Sequence, residues 1–367
     1  MRVLFERHPL DQFICIGDRR SFEAWSPTAP NARLVVVDQS VSPTHAAAAD
    51  GNRSLSDMLA LTRAVHRAAP DVFYSPSVYT YYPLPPRLPA VVTIMDTIAE
   101  RFPHLTLPSR KAQLFWNLKV RLALLQSRLV MTISNYSARS IAEVLRVSPR
   151  NIRVCTLAPS PTYTPAPESS IRAAVIAAGV PPGAPYFMYV GGFNPHKRVD
   201  LIVRAHAAIA ATSDPAPHLV LVGTRTADVF HGEGDRLDTI VRESGTGSLV
   251  HWTGYLPDEA VAPLHSGAVA LLLPSECEGF GLTAVEAAAC GTAVIATTES
   301  PLPELLEGGG LFVPPGNLDA LTSAMQRLLL EGETRRVMAA RALARARELS
   351  WEQAADAVHA ALVEAAR

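Results

Sequence analysis

At 367 residues the chain is too long for one ordinary α/β core and suits two domains, which imply a cleft. Its 48% hydrophobic and 18% charged residues exclude a disordered chain. Lys and Arg total 33 against 34 Asp and Glu, so no overall field favours nucleic acid and any anion site must be local.

The first residues carry a short apolar run broken by Glu6, Arg7 and His8, unlike the apolar core of a signal peptide. No run of about 18 apolar residues predicts a transmembrane helix. Cys15, Cys155, Cys277 and Cys290 are scattered without metal-ligand spacing, which fits structural thiols in a reducing compartment. A cytoplasmic protein is expected, with peripheral contact at the inner membrane face left open.

Apolar runs rich in β-branched residues recur at 33–38, 90–95, 129–133, 187–190, 219–222, 269–273 and 293–296, separated by helix-like segments. This alternation predicts parallel sheets with crossover helices, an α/β fold. Residues 40–52 and 75–89 read as irregular. Tyr79, Tyr81 and Tyr82 in the second stretch are candidates either to stack on an acceptor ring or to pack a proline-rich loop. Residues 110–129 read as a helix that sets Lys111, Lys119, Arg121 and Arg128 among Phe115, Trp116 and leucines, which suits either core packing or an anionic lipid surface. Prolines at 158–167 predict the domain linker. Helical spacing over 321–347 is followed by a last helix for which Ser350 is a plausible N-cap.

The chemistry concentrates in two glycine turns. In residues 272–295 a strand, a turn with Gly279 and Gly281, a helix from Leu282 and a second strand follow in order, leaving free N–H groups suited to a diphosphate. Glu278 before the helix and Glu286 one turn inside it bring two carboxylates to the same mouth. Beside a phosphate they make sense as acceptors of hydroxyl hydrogen bonds, Glu286 from a ribose and Glu278 from a transferred sugar. The balancing cation is Lys197, which follows Gly191-Gly192 and opens the predicted 199–211 helix. His104, His196, His231 and His265 show no metal-ligand grouping, and no metal is expected. Glu304 reads as a loop carboxylate.

The run Glu278-Gly279-Phe280-Gly281-Leu282-Thr283-Ala284-Val285-Glu286, the turn Val190-Gly191-Gly192-Phe193-Asn194-Pro195-His196-Lys197 and the segment Gly254-Tyr255-Leu256-Pro257-Asp258 together resemble retaining glycosyltransferase family 4. In the first half, residues 93–103, 133–139 and 154–157 are also similar to it. The resemblance implies a GT-B fold of two Rossmann-like domains facing each other across a cleft. An acceptor-binding domain would span 1–160, with the helix at about 350–367 packing back on it, and a nucleotide-sugar domain would span 161–349. It implies no obligatory metal, and a sugar nucleotide plus a glycan, lipid-linked or small-molecule acceptor as partners.

By the same carry-over, Gly191, Gly192, Lys197 and Arg198 meet the donor, Glu278 takes the donor sugar and Glu286 the ribose. Gly279, Phe280, Gly281, Leu282 and Thr283 line the diphosphate, with Tyr255 and Leu256 near the base. Lys197, Glu278 and Asp96 are the catalytic candidates; Asp96, Tyr79, Tyr81 and Tyr82 are the acceptor candidates. Many members have Arg where Gly192 stands and His where Met95 stands, and the glycine loop often found near residues 6–11 is missing. The Asn194–Lys197 turn resembles mannosyltransferase-like members, favouring GDP-mannose over a UDP-sugar. A catalytically weak sugar-nucleotide-binding protein and a GT-B phosphorylase or epimerase are the alternatives.

Overall fold

The computed structural model describes residues 1–41, 53–224 and 233–367; most of the stretch expected to be irregular at 40–52, and His231, lie outside them. The chain divides into two compact units, one of residues 1–156 with 351–367, the other of residues 157–350.

In the first unit, β1 (Phe13–Gly17) and β2 (Ala32–Val36) pair in parallel as a small sheet. A second parallel sheet has the order β3 (Phe73–Ser75), β4 (Ala90–Thr93), β5 (Leu129–Thr132), β6 (Ile152–Val154). The pleat sends alternate side chains to opposite faces, and both faces are covered. Ala90, Val92 and Val130 point into a cluster with Trp116, Val120 and Ala123 of the helix Arg110–Gln126. Val91, Leu129 and Met131 point the other way, onto Ala355, Val358, Ala361 and Ala365 of the last helix, Trp351–Ala366, and onto Leu4 and Phe5. Arg7 adds paired hydrogen bonds to Asp356 of that helix, at 2.8 and 2.7 Å. Among the described residues no helix is long and apolar enough to cross a membrane.

The second unit holds β7 (Tyr186–Val190), β8 (His218–Val222), β9 (Val250–Gly254), β10 (Ala270–Leu273), β11 (Val294–Thr297) and β12 (Gly310–Val313), all parallel. Their spatial order is β12-β11-β10-β7-β8-β9, so the chain fills one side outward from β7, returns, and fills the other. That reversal makes a topological switch point between β7 and β10, where strand-end loops diverge and open a crevice at the carboxyl edge. The proline-rich segment belongs to this unit: Tyr163 is buried, its hydroxyl donates to Asp258 at 3.0 Å, and Ala166 N–H donates to Ser266. The helical stretch expected over 321–347 is two helices, Leu318–Leu330 and Gly332–Ala346, parted at Glu331, whose backbone leaves the helical region.

Candidate active site

The switch point sets two loops side by side. After β7 the chain turns through Gly191-Gly192, and Tyr189 O–H fixes the turn by donating to the Gly192 carbonyl at 2.6 Å. Gly223 closes the neighbouring strand end so tightly that a Cβ there would lie 2.1 Å from the Gly191 carbonyl oxygen. The loop then makes a short 3₁₀ turn, Pro195–Lys197, and enters the helix Val199–Ala210 through Arg198 at φ 53°.

After β10, Pro274 and Ser275 lead to Glu276–Gly281. This loop is pinned on both sides: Glu276 N–H donates to the His196 carbonyl at 2.8 Å and Glu278 N–H to that of Glu299 at 3.0 Å. The consequence is a side-chain pair, with Lys197 Nζ 2.8 Å from Glu278 Oε1, while Ser275 Oγ donates to that same oxygen at 2.6 Å. The Glu278 side chain is 9% exposed and that of Lys197 23%, so the pair is largely withdrawn from water yet its ammonium remains reachable.

The helix Leu282–Ala289 starts at Gly281, whose φ of 81° needs glycine, and no side chain caps it. Helix geometry leaves the first-turn amides, Leu282 and Thr283 among them, without intrahelical acceptors, which makes this end attractive to an anion. Phe280 is buried beneath it. One turn in, burial and then the charge of Asp258 push the Glu286 carboxyl up to about 7. Tyr163 lies near the same carboxyl, and burial followed by the Glu286 charge raises its phenol. Tyr255, 76% exposed, and the half-buried Leu256 follow β9 on the other side of the switch point.

The structure therefore brings Gly191, Gly192, Lys197, Glu278 and the Gly279–Thr283 turn together. Arg198 has a different setting: its guanidinium pairs with Glu276 and with Asp200 at 3.3 Å, so two carboxylates already balance it. Glu304 is exposed on the short helix Leu302–Leu305.

In the first unit, Asp96 lies past the end of β4 and its Oδ1 accepts the Ile98 N–H at 2.9 Å, fixing the start of the next turn. Met95 beside it is 40% exposed. The tyrosines correct the stacking expectation. Tyr81 and Tyr82 are 5% and 8% exposed, Tyr81 O–H donates to Gln126, and Tyr82 meets Phe73 edge-on. Tyr79 packs on Trp116 with ring centroids 4.7 Å apart. Tyr81 and Tyr82 fill the core, and half-buried Tyr79 packs against it, because a ring that large stabilises the unit most when removed from water.

Ser275, Asp258 and Tyr163 were not among the expected site residues. Ser275 and Asp258 lie inside the motifs that mark the site, whereas Tyr163 reaches it only through the tertiary packing of the proline segment. A further cluster, His8, Asp11 and His359, is also unsignalled by spacing. Its imidazoles stack at 3.6 Å with planes 10° apart. His359 Nε2 lies 2.8 Å from Asp11 Oδ2, so the pair is held together within the protein.

Two units with parallel Rossmann-like sheets, the second with its switch point beside a glycine turn, have the GT-B fold. The chain belongs to glycosyltransferase family 4: residues 174–345 match the profile of glycosyl transferases group 1 and residues 14–156 that of Glycosyltransferase Family 4. It is similar to O-antigen chain mannosyltransferase B of Escherichia coli, 28% identical over 226 residues that cover 62% of this chain and 58% of that one. It is also similar to D-inositol 3-phosphate glycosyltransferase of Corynebacterium jeikeium, 28% identical over 199 residues, 54% of this chain and 48% of that one. The match thus spans about half the length of these curated relatives. In fold it resembles sucrose-phosphate synthase from Thermosynechococcus elongatus, with a TM-score of 0.72 at 21% identity, covering 95% of this chain and 87% of that one.

Proposed function

We propose that the chain transfers a hexose from a nucleotide-diphosphate sugar to an acceptor hydroxyl, with retention of anomeric configuration and without an obligatory metal. The observation that carries this reading is the Lys197–Glu278 pair beside the uncapped Gly281 helix start. A diphosphate at that helix start would meet oriented amides and draw the Lys197 ammonium, while Glu278 accepts a hydroxyl of the donor sugar and Glu286 the ribose hydroxyls. The acceptor oxygen attacks the anomeric carbon from the face the diphosphate leaves, and the departing phosphate oxygen takes the acceptor proton. No protein nucleophile enters, so the residues act by positioning and by stabilising the leaving charge. Tyr255 and Leu256 are assigned to the base, and Asp96 to orienting the acceptor hydroxyl.

For the donor, GDP-mannose is favoured over UDP-glucose by the Asn194–Lys197 turn and by likeness to a protein named a mannosyltransferase. The acceptor is a glycan, lipid-linked or small-molecule hydroxyl, and the reaction belongs to the cytoplasm, in polysaccharide assembly. Contact of the first unit with a membrane is a separate proposal resting on the helix Arg110–Gln126. The experiment is a panel of sugar nucleotides crossed with acceptors, with product configuration read by NMR. A product of retained configuration, lost in Glu278→Gln, supports the reading; an inverted product would overturn retention.

A second reading, sugar-nucleotide binding without transfer, is favoured by one observation: exposed Met95, just past β4, stands where many members have His. Binding without hydrolysis or transfer across the panel selects it. A phosphorylase or an epimerase would reveal itself by dependence on inorganic phosphate or by isomerised donor.

A further inference from the structure

The helix Arg110–Gln126 turns one face inward and carries an unusual set of side chains on the other. Ala112, Trp116, Val120 and Ala123 are buried against the sheet of the first unit. Outward stand Leu114, Phe115, Leu118 and Leu125, which are 68%, 47%, 62% and 83% exposed. At 100° per residue Leu114, Leu118 and Leu125 fall on one stripe with Phe115 at its margin, so the exposed apolar surface is continuous along the helix. Single exposed apolar side chains need no explanation; three leucines and a phenylalanine on one 17-residue helix do.

The charges on that face have one sign. Arg110, Lys111 and Arg121 are exposed along the stripe, and the helix contains no Asp or Glu. Lys119 is turned in, its ammonium donating to the Tyr79 carbonyl at 3.0 Å, so it leaves the outer face to the other three. Lys111 arches over the Phe115 ring at 5.9 Å, which keeps its cationic tip beside the apolar stripe. A solvated helix face would mix signs and support itself with i,i+4 pairs, which this one lacks. Apolar side chains that dip below a headgroup layer while Lys and Arg reach back to phosphates form the pattern of an interfacial helix.

We propose that this face docks on an anionic lipid bilayer, the helix lying in the membrane plane with Leu114, Phe115, Leu118 and Leu125 buried in the boundary region and Arg110, Lys111 and Arg121 on lipid phosphates. The uniform positive charge selects lipid of negative charge as the occupant. The proposal is independent of the donor reading, because binding to lipid is read without any sugar nucleotide.

The test is sedimentation of the full chain with vesicles of phosphatidylcholine alone or containing about 30% phosphatidylglycerol, a mimic of an anionic leaflet. The expected result is at least tenfold tighter binding to the anionic vesicles, weakening as salt rises. Leu114→Ser with Leu118→Ser should lower that binding about tenfold or more. Lys111→Gln with Arg121→Gln should cost about fivefold per charge on anionic vesicles and leave neutral ones unchanged. Thermal melts confirm that each variant is folded, and all these side chains project into solvent. Equal binding to both vesicle types, or double-leucine variants that bind like the wild type, would overturn the proposal. So would lipid-free self-association abolished by the leucine variants, which would make a second copy the occupant of the face.

Discussion

Lys197 and Glu278 come from different strand-end loops, 81 positions apart in sequence, yet Nζ and Oε1 are 2.8 Å apart. The contact follows from strand order: the parallel strands β7 and β10 are neighbours because the chain returns to the sheet centre after β9 and fills its other side. Glu278 is nearly buried, so the ammonium and Ser275 Oγ together satisfy a carboxylate that water reaches poorly. A diphosphate bound as proposed at the Gly281 helix start would compete for that same ammonium.

The pair separates structural from catalytic loss. Lys197→Ala leaves a buried carboxylate without its cation and is expected to destabilise the second unit by about 1–3 kcal/mol and lower kcat/KM about 100- to 1,000-fold. Adding Glu278→Gln removes the unpaired charge, so the double variant should recover most of the lost Tm while turnover stays low. Recovery of both would make the lysine a structural counterion only.

If Glu286 takes the ribose hydroxyls as proposed, donor binding is proton-linked. Its carboxyl, at about 7 in the free protein, is about half protonated at neutral pH, and accepting two ribose hydroxyls requires the carboxylate. Donor binding at pH 7 should therefore release about half a proton, and affinity should fall up to about tenfold per pH unit below 7. Calorimetry in buffers of different ionisation enthalpy reads the proton directly. Glu286→Gln should bind more weakly and release none; unchanged release would place the titration elsewhere.

Two histidines set an acid limit on stability. Burial alone pushes fully buried His265 down to about 3; burial and then Lys197 push His196 down to about 4. A folded pKa below the ordinary 6.5 means the unfolded chain binds the proton more readily. Their contribution is therefore complete above pH 6.5 and lost as pH falls toward 3 to 4, by up to about 1.4 kcal/mol per pH unit for His265. Glu286 acts oppositely, its raised pKa favouring the folded state at low pH and that gain disappearing as pH rises from 4.5 through 7. Denaturant unfolding should show net loss from pH 7 to pH 5, and His265→Gln should flatten it. An equal loss in the variant would remove His265 from the account.

Gly281 offers a steric test with a built-in control. A Cβ there would sit 2.7 Å from Leu302 Cδ1 at φ 81°, whereas at Gly183, φ 82°, it would meet nothing within 4 Å. Gly183→Ala should cost only the left-handed backbone, about 1–2 kcal/mol. Gly281→Ala should cost more and weaken donor binding, since the displaced turn carries the helix start. Equal Tm losses would show that Leu302 yields freely.

What the sequence made legible was local. β4, β5, β7, β8, β10 and β11 were readable because each is a run of β-branched or long apolar residues buried on both faces. β1 is only half-buried along its five residues and ends in glycine, β12 begins on the last of three successive glycines, and β3 and β6 are three residues long, so none stood out as a buried strand. The Glu278–Glu286 turn was readable because strand, glycines and helix are contiguous. Tyr163 was not, since only the fold of the proline segment carries it to Asp258. The sequence left two settings open for the Tyr79–Tyr82 run, because a tyrosine's polar tip looks the same whether it meets a ligand or, as for Tyr81, Gln126.

The most direct measurement of the central claim is calorimetric titration of GDP-mannose and UDP-glucose into the wild-type chain and Lys197→Ala. Saturable one-to-one binding of one donor by the wild type is expected, weakened about tenfold or more in the variant. Binding of equal strength in both proteins would contradict the assignment of the diphosphate to Lys197 and the Gly281 helix start.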